Sequence, residues 1–159
     1  MDHIWSPWRY RYIASPEPKN SCIFCDIKTS DDDINNLVLY RGELVFVVLN
    51  LFPYTSGHLM IVPNQHTGSF AGLDQETTRD MFELAKRAEV ALRQEYHPDG
   101  FNIGMNLGKA AGAGIEQHLH LHIVPRWVGD ANFVSTIGET RVLPEDLSAT
   151  YQRLKPHFR

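Results

Sequence analysis

The sequence predicts an α+β fold: a mainly antiparallel sheet packed by one long helix and a short C-terminal helix. Three observations carry this. Short apolar runs separated by turn residues fill the first half of the chain. One long segment, Leu73 to Tyr96, changes to the helical period. Two further strand-like runs then follow before a last helical stretch, an order that segregates helix from strand.

Each element has a local reason. Leu37 to Tyr40 and Leu44 to Leu49 are apolar runs separated by Arg41-Gly42-Glu43, which predicts a hairpin. Asp31 to Asp33 with Asn35-Asn36 reads as the polar loop before it. Gly57 to Pro63 supplies a third strand, closed by the proline. In the long helix Met81, Leu84, Ala85, Ala88, Ala91 and Leu92 fall on one face, with Asp74 as cap and His97-Pro98-Asp99-Gly100 as stop. Phe101 to Leu107 reads as a strand and Gly108 to Gly114 as a small-residue loop. His118 to Pro125 is the next strand, and Pro144 suits the first turn of a last helix reaching about Lys155. Residues 1–21, with Trp5, Trp8 and Arg9, read as an aromatic arm, and 22–159 as one domain.

Composition narrows the function. The chain has 159 residues, 43% hydrophobic and 21% charged, enough for one domain with a real core. A net charge of −4 disfavours a nucleic-acid polymer as partner. No run approaches the ~18 apolar residues of a membrane span, and the first twelve residues lack the apolar stretch of a secretory signal. Both cysteines sit in one Cys22-x-x-Cys25 unit, which is no disulfide framework. The expected setting is cytoplasmic.

The chemistry concentrates in Gln117-His118-Leu119-His120-Leu121-His122-Ile123-Val124-Pro125. In a strand His118, His120 and His122 share one face while Leu119, Leu121 and Ile123 anchor the other. Three same-face positions span roughly 14 Å, whereas one metal needs its ligands about 2 Å away. At least one imidazole is therefore free for other work. Neutral imidazole is a nucleophile toward phosphorus near pH 7, and a neighbouring histidine can serve the phosphoryl oxygens.

This His-x-His-x-His signature, followed by two apolar residues, resembles the histidine-triad (HIT) superfamily, and the likeness runs from about Cys22 to Trp127. The resemblance implies about five antiparallel strands, a nucleotidyl-His120 intermediate, and a phosphate contact from His122. It places His58, in Gly57-His58, and Asn106, in Met105-Asn106-Leu107-Gly108, in the same pocket. Asn50 is expected to hold the ribose hydroxyls. The resemblance also implies a structural Zn2+ on Cys22, Cys25, His66 and His118, and a homodimer that pairs the long helix and extends the sheet. A thioredoxin-like reading of Cys22-x-x-Cys25 lacks the upstream strand it needs.

Pro125-Arg126-Trp127, Gly129-Asp130-Ala131-Asn132-Phe133 and Asp99-Gly100-Phe101-Asn102 are similar to a bacterial branch of mycobacterial diadenosine tetraphosphate phosphorylase type. That implies a small nucleotide substrate of the dinucleoside polyphosphate class, with phosphate or water resolving the intermediate. Gly114 and Ile115 replace the glutamine and hydroxyl residue of the phosphoramidase branch; Glu116 and Gln117 stand nearby as substitutes. Lys109 and Gln117 are candidate nucleotide contacts. Arg126 and Lys109 face two fates, distal phosphates or plain solvation. Two alternatives remain open at this stage: an adenosine 5'-phosphoramidate hydrolase, and a zinc-stabilised nucleotide-binding module without turnover.

Overall fold

The computed structural model describes residues 21–137 and 143–159. The Trp5, Trp8 and Arg9 arm lies outside the described residues. Helix α1 (Ile23–Thr29) comes first, followed by strands β1 (Val38–Arg41), β2 (Val45–Leu49) and β3 (Leu59–Pro63). Helix α2 (Gln75–Tyr96), β4 (Gly100–Gly104), β5 (Leu121–Arg126), the short α3 (Phe133–Thr136) and α4 (Leu147–Leu154) complete the chain. The five strands form one sheet in the order β1-β2-β3-β5-β4, with every pairing antiparallel.

The two faces of the sheet separate by strict alternation. Leu121 and Ile123 of β5, Leu59 and Ile61 of β3, and Val45, Val47 and Leu49 of β2 point to one side. There they meet Met81, Leu84, Ala85, Ala88, Ala91 and Leu92 of α2, and Tyr151 and Leu154 of α4. Phe46, Val48, Met60 and Val62 point to the other side, where Phe24 of α1 covers them. The register pairs Met60 with His122, which puts His122 on the α1 side.

Helix α2 begins as the sequence predicts. The Asp74 carboxylate accepts the Thr77 backbone N–H at 2.7 Å, satisfying one of the orphan donors of the first turn. His97 ends it in the left-handed conformation, and Pro98 follows.

The structure departs from the sequence reading at several places. The β5 ladder starts at Leu121, so His118 and His120 precede it in extended chain; Leu119 gives its N–H to Thr67 instead, at 2.7 Å. Strand β4 stops at Gly104 rather than Leu107, because β5 offers partners only as far as His122. The last helix starts at Leu147 behind an Asp146 cap that accepts the Ala149 N–H at 2.8 Å, which leaves Pro144 upstream of the helix. Helix α1, between and beyond the cysteines, has no clear sequence signal: seven residues are too few to show a period.

Candidate active site and metal centre

Two separate sets of hydrogen bonds hold the histidines, and the fixed backbone partners assign their tautomers. The Tyr54 backbone N–H donates to His58 Nδ1 at 3.1 Å, so Nδ1 is the acceptor and Nε2 carries the hydrogen. His58 Nε2 then donates to His122 Nδ1 at 2.9 Å. His122 is left with its own N–H on Nε2. His120 works the other way: its Nδ1–H donates to the His118 carbonyl at 2.9 Å, which leaves an unprotonated lone pair on Nε2. The His120 and His122 rings are 4.7 Å apart at 72°. One nitrogen lone pair and one N–H donor thus lie side by side, as attack on a phosphoryl group requires.

Burial keeps these rings neutral. It lowers the pKa of His120, against the opposing bond to the His118 carbonyl. It lowers His122 to about 4, helped by repulsion from His120. Phe24 lies 5.1 Å from the His120 ring and 5.3 Å from the His118 ring, and supplies much of that apolar cover. Tyr54 does the same on the outer side, 4.7 Å from the His58 ring and stacked on His122 at 6.3 Å. Neither aromatic announces itself in the sequence; only their places, between the cysteines and just before Gly57-His58, offer a signal.

His118 belongs to a different cluster. Its Nε2–H donates to the Pro63 carbonyl at 2.8 Å, which turns the Nδ1 lone pair toward the cysteines. Nδ1 is 3.2 Å from Cys22 Sγ and 3.6 Å from Cys25 Sγ, and His66 Nδ1 is 3.2 Å from Cys25 Sγ. All four ligand atoms lie within 4.8 Å of one another. Ligands about 2.0–2.3 Å from a tetrahedral ion stand roughly 3.3–3.8 Å apart, close to the three sulfur–nitrogen separations of 3.2–3.6 Å, so the donor set suits one metal ion after small side-chain shifts. His66 is brought in by close backbone packing. A Cβ at Gly68 would sit 2.4 Å from the Glu116 carbonyl oxygen, so only glycine lets the His66 turn lie against the Glu116–Leu119 segment.

The other predicted residues divide. Asn106 lines an open cleft together with His122, Tyr54, Asn102 and Arg126. Asn50 sits beside His58, its amide nitrogen 3.4 Å from each ring nitrogen and its Oδ1 accepting the Phe52 N–H at 2.9 Å. Lys109 and Gln117 are exposed, and neither lines the cleft. Ile115 packs against the Phe24 cluster, which leaves no hydroxyl at that position near the histidines.

An antiparallel sheet with a histidine row at the head of β5, backed by a Cys2His2 cluster, defines a class, and comparison names it. A family model described as "HIT domain" matches residues 31–128. The chain belongs to the HIT domain family. It is 37% identical over 162 residues to "AP-4-A phosphorylase" of Mycobacterium tuberculosis, covering 97% of this chain and 83% of that protein. A crystal structure of "a ZN-bound histidine triad family protein" from Mycobacterium smegmatis superposes with a TM-score of 0.70. It is 33% identical and covers 86% of this chain and 92% of that one. A HIT family protein from Bacillus anthracis superposes with a TM-score of 0.61 at 32% identity, covering 68% and 74%.

Proposed function

We propose that this chain cleaves dinucleoside polyphosphates of the diadenosine tetraphosphate kind through a nucleotidyl-His120 intermediate. The observation that carries this is the pair of opposed tautomers: a lone pair on His120 Nε2 beside an N–H on His122 Nε2. The likeness to a named AP-4-A phosphorylase along nearly the whole chain supports the substrate class.

In this reading His120 Nε2 attacks the α-phosphorus, forming a P–N bond and breaking the bond to the bridging oxygen. The electron pair leaves with the nucleoside triphosphate, which is stable as an anion at pH 7 and takes up no proton. His122 Nε2–H donates to a nonbridging oxygen, held to that role by His58. Asn106 adds a second donor from the cleft wall, and Asn50 meets the ribose. Orthophosphate or water then attacks the same phosphorus and returns His120. Lys109 and Gln117 are assigned to this nucleotide site only as outlying contacts.

A Zn2+ ion on Cys22, Cys25, His66 and His118 fits the donor set, since two thiolates and two imidazoles in a tetrahedron select zinc. With four protein ligands such an ion would be structural, and it would hold His118, whose carbonyl accepts the His120 Nδ1–H. A second copy of the chain completes the assembly: β4 is an edge strand, and Ile103 on it and Val90 on α2 stand exposed. Among the described residues no helix is long and apolar enough to cross a membrane, and a cytoplasmic setting belongs to the same reading.

Product chromatography tests the proposal. The protein and its His120→Ala variant are incubated with diadenosine tetraphosphate, with and without orthophosphate. ATP plus ADP, formed only with phosphate and only by the intact protein, makes it a phosphorylase. AMP plus ATP without phosphate makes it a hydrolase. No product in either condition overturns the reading, and binding without turnover, or an adenosine 5'-phosphoramidate substrate, takes its place.

A further inference from the structure

The cleft that His122 shares with Arg126 leads away from the metal centre. Neither His120 nor Asn50 lines it. Its floor is the β4–β5 pair, where Gly104 lies opposite His122 and Asn102 opposite Val124. Gly104 has open space where a side chain would stand, so nothing blocks the path beside His122. Four residues further along the same face, about 13 Å away, stands Arg126.

Arg126 is built into place. Its Nε and Nη2 donate to the two oxygens of Asp130, each at 2.6 Å, and Nη1 donates to Asn102 Oδ1 at 2.6 Å. Asp130 is itself held from behind: its carboxylate accepts the Trp127 N–H at 3.1 Å, closing a turn that needs Gly129 at φ +86°. A guanidinium carries five N–H donors, and these bonds use three. Two remain, on the nitrogens Nη1 and Nη2, for an oxygen acceptor in the cleft. An arginine that merely solvates a surface has no need of a two-sided clamp, because holding a long side chain in one geometry costs entropy.

We infer that the cleft from His122 to Arg126 is the subsite for the leaving part of the substrate, and that Arg126 binds its distal phosphates. This rests on the dinucleoside polyphosphate reading and deepens it. Attack at the α-phosphorus beside His122 sends the rest of the polyphosphate away from the nucleoside held near Asn50. The β4–β5 floor is the groove that receives it. With phosphorus atoms about 3 Å apart along the chain, the far phosphates of a tetraphosphate come within reach of a fixed donor pair about 13 Å from His122. Arg126 therefore sets the preferred polyphosphate length.

The test compares two substrates in Arg126→Gln and in the double variant Arg126→Gln with Asp130→Asn, which leaves no unpaired carboxylate behind. The first substrate is diadenosine tetraphosphate and the second is the p-nitrophenyl ester of AMP, which has no distal phosphate. The expected result is a fall in kcat/KM of about 10- to 100-fold for the tetraphosphate, mostly through KM, with the ester changed less than about threefold. Inorganic tripolyphosphate is expected to inhibit ester cleavage by the native protein and to lose that inhibition in both variants. Equal losses on both substrates, or none on the tetraphosphate, would overturn the subsite. So would a change confined to the KM for orthophosphate, which would make Arg126 an acceptor contact instead. A native protein that cleaves the ester but not the tetraphosphate would overturn the parent reading, an outcome distinct from these.

Discussion

The two faces of the sheet are built from the same strands and obey different rules. On the α2 face the sheet buries apolar side chains against one helix and its neighbours. On the α1 face the same alternation delivers Met60, Val62 and Phe46 beside His122, with Phe24 laid over the junction. The first face holds the fold by burial. The second uses burial to tune chemistry, because the apolar cover that packs it also keeps three imidazoles neutral. Substitutions on the two faces should therefore fail differently: one in stability, the other in turnover by a folded protein.

The sharpest break in that symmetry is His120→Ala. It should lower turnover of diadenosine tetraphosphate by about 10⁴-fold or more while the thermal midpoint moves little. Residual turnover within tenfold of the native rate, at equal stability, would remove His120 from the nucleophile role. Metal removal comes next, because the centre ties α1 to the approach to β5. At free Zn2+ a thousandfold above its Kd, the ion contributes roughly 4 kcal/mol. Cys22→Ser should forfeit most of this, and the bound zinc as well, measured by melting and by metal analysis. Unchanged melting with and without a chelator would exclude a structural ion.

On the opposite face Leu92, fully buried, gives a control of similar size. Leu92→Ala should cost about 2–5 kcal/mol of stability in denaturant and leave kcat per folded molecule near native. If kcat fell in proportion instead, the two faces would not be separable. At the small end stands the Asp74 cap: Asp74→Ala should cost about 1 kcal/mol by the same measurement. A neutral result would mean that water replaces the carboxylate.

The pH dependence sharpens the contrast with its sign. His122 titrates at about 4 in the folded protein, below its ordinary 6.5, so on acidification the unfolded chain takes up its proton first. Its contribution to stability is complete above pH 6.5 and is lost as pH falls from 6.5 toward 4. His120 is shifted in the same direction by burial, so the nucleophile takes up its proton only at a pH lower than an ordinary imidazole does. Because these shifts belong to the free protein, kcat/KM should hold level through 6.5 and decline only in more acid solution. A decline centred at 6.5 or above would show that the cover by Phe24 does not protect the pair.

Legibility in the sequence followed the same division. The α2 face was readable because its signals are local: a helical period with an aspartate before it, and alternating strands. The histidine row was readable for the same reason, and the match to a known family extended it to Cys22, Cys25 and His66. What stayed hidden depends on contacts between distant segments. The bond from His58 to His122 joins residues 64 apart, and no pattern in either neighbourhood reveals which nitrogen donates. The cover by Phe24 and Tyr54 has the same origin. The Arg126 clamp is closer in sequence, yet Asn102 reaches it only through the β4–β5 register. Lys109 and Gln117, chosen for charge and proximity in the chain, stand exposed away from the cleft lining, since short loops set direction more than distance.

The central claim is a covalent bond from phosphorus to His120, and intact-mass spectrometry of the quenched reaction tests it directly. The protein is mixed with diadenosine tetraphosphate without orthophosphate and stopped in alkali, where a P–N bond survives. The account predicts a gain of one adenylyl group that maps to the peptide containing His120, disappears in His120→Ala, and is discharged when phosphate or time is allowed. Steady turnover with no adduct at any time, or an adduct that persists in His120→Ala, would contradict it.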